Sequence, residues 1–225
     1  MTAAVLTPGK RPEFGEFGRI SYAQEAEDLL LFNVFKRQRE GFYVDVGAHH
    51  PIRFSNTHIF YAYGWTGINI DAHPESLALF EKDRPRDTNL EVAISDRTEP
   101  LTFYMFDETA VSSFDETLSK GPRREQYTIL GTRELVPRRL DDVLAEHLPP
   151  GTKIDFLNID VEGHDLNVLG SNDWTRFRPT FVLCESLARS PAEVADDPHY
   201  RFMIGQSYAL YCQTPRTLFF RDTTD

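Results

Sequence analysis

The run Asp160-Val161-Glu162-Gly163-His164 gathers two carboxyls and an imidazole within five residues. Histidine titrates near neutral pH, so His164 suits a general base, the group that takes a proton as a bond forms. Asp160 or Glu162 could orient that imidazole, or hold a divalent cation such as Mg2+ that would polarise a substrate oxygen. Glu185 could complete such a metal site, which makes Asp160, Glu162 and Glu185 the candidate ligands; it could equally bind the substrate itself. The plainer alternative is that Asp160 and Glu162 only stabilise the positive end of the next helix while His164 sits in solvent. A second pair, His49-His50, is a poor metal site because neighbours in an extended chain point opposite ways. One of the two is the second choice for the base.

The pattern around these residues is α/β. Runs at 42–47, 67–72, 154–160 and 180–185 are nearly all apolar until a polar residue ends them, as expected of parallel strands covered on both faces. The first two lie about 25 residues apart, the length of one βαβ unit. Leu90–Ser95 reads as a third strand, with Leu101–Phe106 and Arg133–Leu140 as added ones. Helices are predicted over Ser21–Phe35, N-capped by Ser21 with Glu25 in its first turn, and around Ser55–Tyr63. Two more are predicted from Pro74 to Asp83, a proline start, and over Asp141–Leu148. Near the C-terminus, Ser207–Thr214, a turn at Pro215-Arg216 and Thr217–Asp222 read as a β-hairpin. The expectation is a single Rossmann-like, doubly wound, mostly parallel domain over 19–225, ending in an antiparallel hairpin and preceded by a flexible tail over 1–18.

In such a sheet a ligand sits beyond the carboxyl ends of the strands, at the point where strand order reverses. The strands end in Asp45-Val46-Gly47-Ala48, in Asp71, in Ala93-Ile94-Ser95, in Asn158-Ile159-Asp160 and in Glu185. Glycine at 47 lets a backbone approach closely, and an acid at 71 can accept from both hydroxyls of a ribose. Several acids along one edge suit a sulfonium cofactor with a ribose and repel a pyrophosphate. The first strand continues into His49-His50-Pro51 with no Gly-x-Gly-x-x-Gly, and there is no phosphate loop of the GxxxxGK[ST] type. Each acid alone could merely cap the helix that follows it.

Composition narrows the class further. Of 225 residues 40% are hydrophobic and 26% charged, an ordinary globular balance. Lys and Arg number 24 against 35 Asp and Glu, a net charge of -11, which repels phosphate backbones and argues against nucleic acid as a partner. Cys184 and Cys212 lie in apolar runs without zinc spacing and read as free thiols in a reducing compartment. No secretory leader and no apolar run of roughly 18 residues is present, so a cytoplasmic protein without membrane attachment is expected. Oligomeric state is not legible.

The blocks SYAQEAEDLLL, GFYVDVGAHHP, SNT (Ser55–Thr57), GWTGINIDAHP, NLEVAIS, IDFLNIDVEGHDLNVL and RPTFVLCE occur in the order and spacing of the FkbM-type methyltransferases, and over roughly residues 20–186 the chain resembles that family. The resemblance implies a class I methyltransferase fold, S-adenosylmethionine as donor, and O-methylation of a hydroxyl on a sugar, glycan or glycosylated secondary metabolite. It implies that Asp45, Gly47 and Ala48 line the methionine part and that Asp71 with Ala72 takes the ribose. Ala93 to Ser95 would lie on the adenine side, and Asp160 would face the sulfonium or the acceptor. Ser55 and Asn56 would either touch the cofactor or cap a helix, and Tyr22 and Gln24 would fold over the cofactor or simply pack. Two positions depart from the pattern: Asp71 stands where Glu is common, and Asp165 replaces the Glu that usually follows Gly-His. Segments 107–133 and 187–206 are expected to shape the acceptor pocket, with Phe106–Leu118 as a lid or a plain loop. A nicotinamide-dependent sugar oxidoreductase is the first rival, opposed by the missing glycine fingerprint and the terminal hairpin. The second is a non-catalytic module that keeps the cofactor pocket.

Overall fold

Apolar runs rich in β-branched and aromatic residues pair into a seven-stranded sheet in the computed structural model, which describes residues 18–74, 76–188 and 190–224. Apart from Gly18, the expected tail lies outside the described residues. The strands are β1 (Phe42–Val46), β2 (Thr66–Asp71), β3 (Thr88–Glu91), β4 (Leu101–Phe106), β5 (Ile129–Leu135), β6 (Phe156–Ile159), β7 (Phe181–Glu185), β8 (Tyr208–Gln213) and β9 (Thr217–Asp222). Helices are α1 (Glu27–Val34), α2 (His58–Ala62), α3 (Ser76–Asp83), α4 (Glu116–Ser119), α5 (Leu140–His147), α6 (Asp165–Gly170), α7 (Pro191–Val194) and α8 (Pro198–Gly205).

The sheet order is β3-β2-β1-β6-β7-β9-β8. The first five of these run parallel, while β9 is antiparallel to both β7 and β8. The expected α/β class and the antiparallel C-terminal hairpin are therefore both present. β1 pairs with β2 on one side and with β6 on the other, so the order reverses beside β1, at the register Val46↔Ile159.

Both faces of the sheet are buried, which is why the strand runs do not alternate. Val44, Val46, Ile68, Ile70, Leu157 and Ile159 pack with α5, α6 and α8 on one face. Tyr43, Phe156, Phe181 and Phe219 pack with Leu31, Phe35, Phe60 and Trp65 on the other. Side chains such as Ile68 and Phe156, with no exposed area, each contribute about 1.5–3 kcal/mol through burial.

Several boundaries differ from the sequence reading for physical reasons. The first helix begins at Glu27, and Ser21 does not cap it: its hydroxyl donates to Asp28 at 2.6 Å, and Ala26 at the helix start has φ +66°. The helix expected from Pro74 runs from Ser76. β3 stops at Glu91, opposite the last residue of β2, and Ile94 bridges Arg138 instead. β5 lies earlier than expected, pairs only with β4, and ends before Val136-Pro137, since proline cannot donate to a ladder. Cys184 is buried and Cys212 half-buried, and both are free thiols. Among the described residues no helix is long and apolar enough to cross a membrane.

Candidate active site

The loop after β1 is fixed from below by a buried cation. Arg84, which has no exposed area, donates to the Pro51 carbonyl from Nε at 2.9 Å, to Thr57 Oγ1 at 2.7 Å and to Ser55 Oγ at 2.7 Å. Thr57 donates on to Asp45 at 2.9 Å, Asn158 donates to the other Asp45 oxygen at 2.9 Å, and Asn56 donates to Asn158 at 2.9 Å. Burial raises the Asp45 carboxyl, while Asn158, Arg84 and Thr57 favour its charged form. Asp45 and Ser55, both 2% exposed, thus face the protein's own polar network. Ser55 Oγ also accepts from the His58 N–H at 3.0 Å, although the N-cap of α2 is Thr57, whose side chain makes no capping bond.

Above this network the strand ends come together. Gly47 has φ +84°, and a Cβ there would lie 1.8 Å from the Asp160 carbonyl. The glycine is therefore required by the contact between the ends of β1 and β6. Asp71 accepts the backbone N–H groups of His49 and His73, each at 2.7 Å, so each carboxylate oxygen keeps a lone pair for a further donor. Burial raises its pKa. Ala48 lies beside it, Ala93 is buried, and Ala72 follows Asp71 half-buried.

Ser95, fully buried, meets His164 Nε2 at 3.0 Å. His164 is 7% exposed, and burial followed by the Arg97 charge lowers its pKa. It lines a cavity of about 470 Å³ with Arg97, Phe114, Asp115 and Asn167. His164 is thus neither solvated nor on the cleft that the neighbouring carboxyls face.

That cleft is larger, about 710 Å³, and takes its lining from both segments expected to shape the acceptor pocket. Glu162, Asp165 and Glu185 form its acidic wall. Glu162 has φ +53°, pairs with Arg124, and accepts Ser113 Oγ on its carbonyl at 2.7 Å. Burial raises the Glu162 carboxyl and Arg124 opposes the shift. Glu185 is pushed up to about 8 by burial and then by the charges of Glu162 and Asp165. Burial, with Glu185 and Glu162 next, lifts Asp160 well above the usual carboxylate range. Asp165 is 2% exposed; one oxygen accepts from the Gly163 N–H at 3.2 Å and the other has no hydrogen-bond partner.

Among the described residues no three His, Cys, Asp or Glu side chains converge as a metal would need. Of the candidate ligands Asp160, Glu162 and Glu185, Glu162 is already paired with Arg124. His49 is held with φ +53° and its pKa is lowered to about 4, first by burial and then by Arg53. Tyr22 packs edge-on against His58, and Gln24 accepts from Arg216 at 3.2 Å on the cleft rim. Sequence reasoning missed Arg84, Arg124 and the pair Asp197–His199, the last on the cleft wall. Charged residues next to prolines and turns look like solvated surface, and nothing in the sequence separates these from the rest.

The strand order, with β9 between β7 and β8, defines a Rossmann-like α/β fold of the class I methyltransferase type. Residues 45–209 match the family described as the methyltransferase FkbM domain. That is well over half of the chain, and the protein belongs to the FkbM methyltransferase family. No curated protein and no solved structure gives a match.

Proposed function

We propose that the protein transfers a methyl group from S-adenosylmethionine to a hydroxyl of a sugar, glycan or glycosylated small molecule. One observation carries the reading: Glu162, just past the end of β6 beside the switch point, and Glu185, at the end of β7, line a cleft of about 710 Å³. Membership of the family favours methyl transfer over the nicotinamide oxidoreductase. The donor set also fits a sulfonium nucleoside. Asp71 keeps lone pairs for a ribose diol, and the loop after β1 offers no glycine run for a pyrophosphate. When bound, the cofactor supplies an electrophilic methyl on a positively charged sulfur.

In this reading Gly47 and Ala48 serve the methionine part, Asp71 and Ala72 the ribose, and Ala93 to Ser95 the adenine side. His164, bonded to Ser95, steadies that side and is not the base. Asp45 and Ser55 act from beneath by holding the loop. The chain's remaining work is to align an acceptor oxygen in the cleft and keep water out. Mixed acid and guanidinium lining suits hydroxyl-rich ligands, which need donors and acceptors together.

Titration calorimetry with S-adenosylhomocysteine, with NAD in parallel, tests the cofactor. Micromolar binding of the first alone is expected, weakened about ten- to hundredfold in Asp71→Ala through the loss of charged hydrogen bonds. Binding of NAD alone overturns the reading. Binding without transfer from methyl-labelled donor to any carbohydrate would leave a non-catalytic module.

A further inference from the structure

We infer that His199, held by Asp197 on the wall of the large cleft, is the general base that takes the proton from the acceptor hydroxyl. This rests on the cleft being the acceptor site. His199 Nδ1 lies 3.0 Å from Asp197 Oδ1, and the second Asp197 oxygen accepts Ser186 Oγ at 2.5 Å. Ser186 directly follows Glu185 at the end of β7, so the dyad is anchored to the sheet edge. Burial alone would raise the Asp197 carboxyl, but its bonds to His199 and Ser186 outweigh that and hold it at about 2. Asp197 is therefore a carboxylate, an acceptor only. In the neutral ring Nδ1 must carry the hydrogen, which leaves the Nε2 lone pair as the free base. The His199 side chain is 17% exposed and lines the cleft.

Asp165 supplies the second, independent observation. Its buried Oδ1 lacks a hydrogen-bond partner, although the Val161 backbone and its own favour the charged form, and its charge interacts with His199. A carboxylate left partly unsatisfied beside an imidazole stabilises the imidazolium that proton transfer would form. The rivals on this wall are worse placed. Glu185, at about 8, holds a proton at neutral pH, Glu162 is bound by Arg124, and His164 lies on the other cavity. In the step itself, the acceptor oxygen bonds to the methyl carbon as the carbon–sulfur bond breaks. The electron pair of that bond stays on sulfur, and the hydroxyl proton passes to His199 Nε2 and then to solvent.

The test has two arms on the full chain. Long-range 1H–15N spectra, assigned by comparison with His199→Gln, should show His199 as the Nδ1–H tautomer at pH 7.5. An Nε2–H tautomer or a doubly protonated ring overturns the proposal, whether or not an acceptor is known. With methyl-labelled donor and a mixture of methyl glycosides of glucose, galactose, mannose and rhamnose, His199→Gln should lose about 10²–10⁴-fold in kcat. Its affinity for S-adenosylhomocysteine should stay within about threefold of the parent's, and Asp197→Asn should lose at least about tenfold in kcat. Turnover by His199→Gln within about threefold of the parent also overturns the proposal. Failure of the parent to bind S-adenosylhomocysteine would instead count against the methyltransferase reading, since the tautomer needs no cofactor.

Discussion

Arg84 shows how much of a binding edge can depend on one side chain that never touches the ligand. Its guanidinium donates to Pro51, Ser55 and Thr57 and faces Asp87 at 3.9 Å, both side chains being fully buried. Asp87 in turn accepts from Tyr43 Oη at 2.6 Å and from the Gly67 N–H at 2.9 Å. The loop after β1 and the start of β2 thus share one ion pair. Arg84→Met leaves the buried Asp87 carboxylate without its countercharge and takes two donors from the Pro51 carbonyl, and breaking a buried pair costs about 3–5 kcal/mol. Urea unfolding at pH 7 should show that loss, with Arg84→Lys between it and the parent because lysine keeps the charge but not the fork. A loss below about 0.5 kcal/mol, the size of an ordinary surface change, would mean the network is solvated and not structural. At this scale the sequence was legible where the residue type itself carries the role: Gly47 and Asp71 stand out at strand ends. Arg84 does not, because in Asp83-Arg84-Pro85-Arg86-Asp87 nothing tells the buried guanidinium from the exposed Arg86.

Among the elements, the insertion between β3 and α5 departs most from the sequence reading. Its strands were expected, but their pairing into a separate antiparallel pair was not, since β5 alternates little and lies mostly exposed. Nor did the sequence tell a lid from a loop over Phe106–Leu118. The segment carries short helical turns, buries Ser113, and is clamped to the loop after β1 by Arg53, which bonds both Glu108 oxygens at 2.9 and 2.7 Å. The pair is half-exposed, so it contributes only about 0.2–1 kcal/mol to global stability. Its effect is local. Glu108→Ala should leave the urea midpoint nearly unchanged while amide hydrogen exchange over residues 107–113 speeds up severalfold. Unchanged exchange there would show that the Ser113 contacts alone hold the segment. The strand runs and the C-terminal hairpin were legible because burial on both faces erases alternation in a way that turns do not imitate. Helix starts were less so: Ser21 has the capping residue type but is spent on Asp28.

For the whole molecule, the acidic wall sets how stability responds to pH. Glu185 is held at about 8 and Asp165 at about 6, burial being the first cause in each, and burial raises Asp160 as well. In the unfolded chain such groups titrate at about 4. Between that value and about 8 the folded chain holds more protons than the unfolded one, so stability falls as pH rises through the window. Each proton involved contributes at most about 1.4 kcal/mol per pH unit. Asp197 and Asp222, held at about 2, act the other way: their contribution is present above the unfolded value near 4 and is lost as pH falls toward 2. The two trends place the most stable pH on the acid side of neutrality. Urea unfolding from pH 4 to 9 should show that maximum, and Glu185→Gln should flatten the alkaline descent and unfold at higher urea than the parent at pH 8.5. The net charge of -11 also destabilises the folded chain as pH rises, but that repulsion lies at the surface and fades with salt, whereas buried charges are screened far less. A descent that survives about 0.5 M NaCl and is flattened in Glu185→Gln belongs to the cleft. One that salt abolishes in both proteins would belong to the surface and would mean that the acidic wall is wetter than its burial implies.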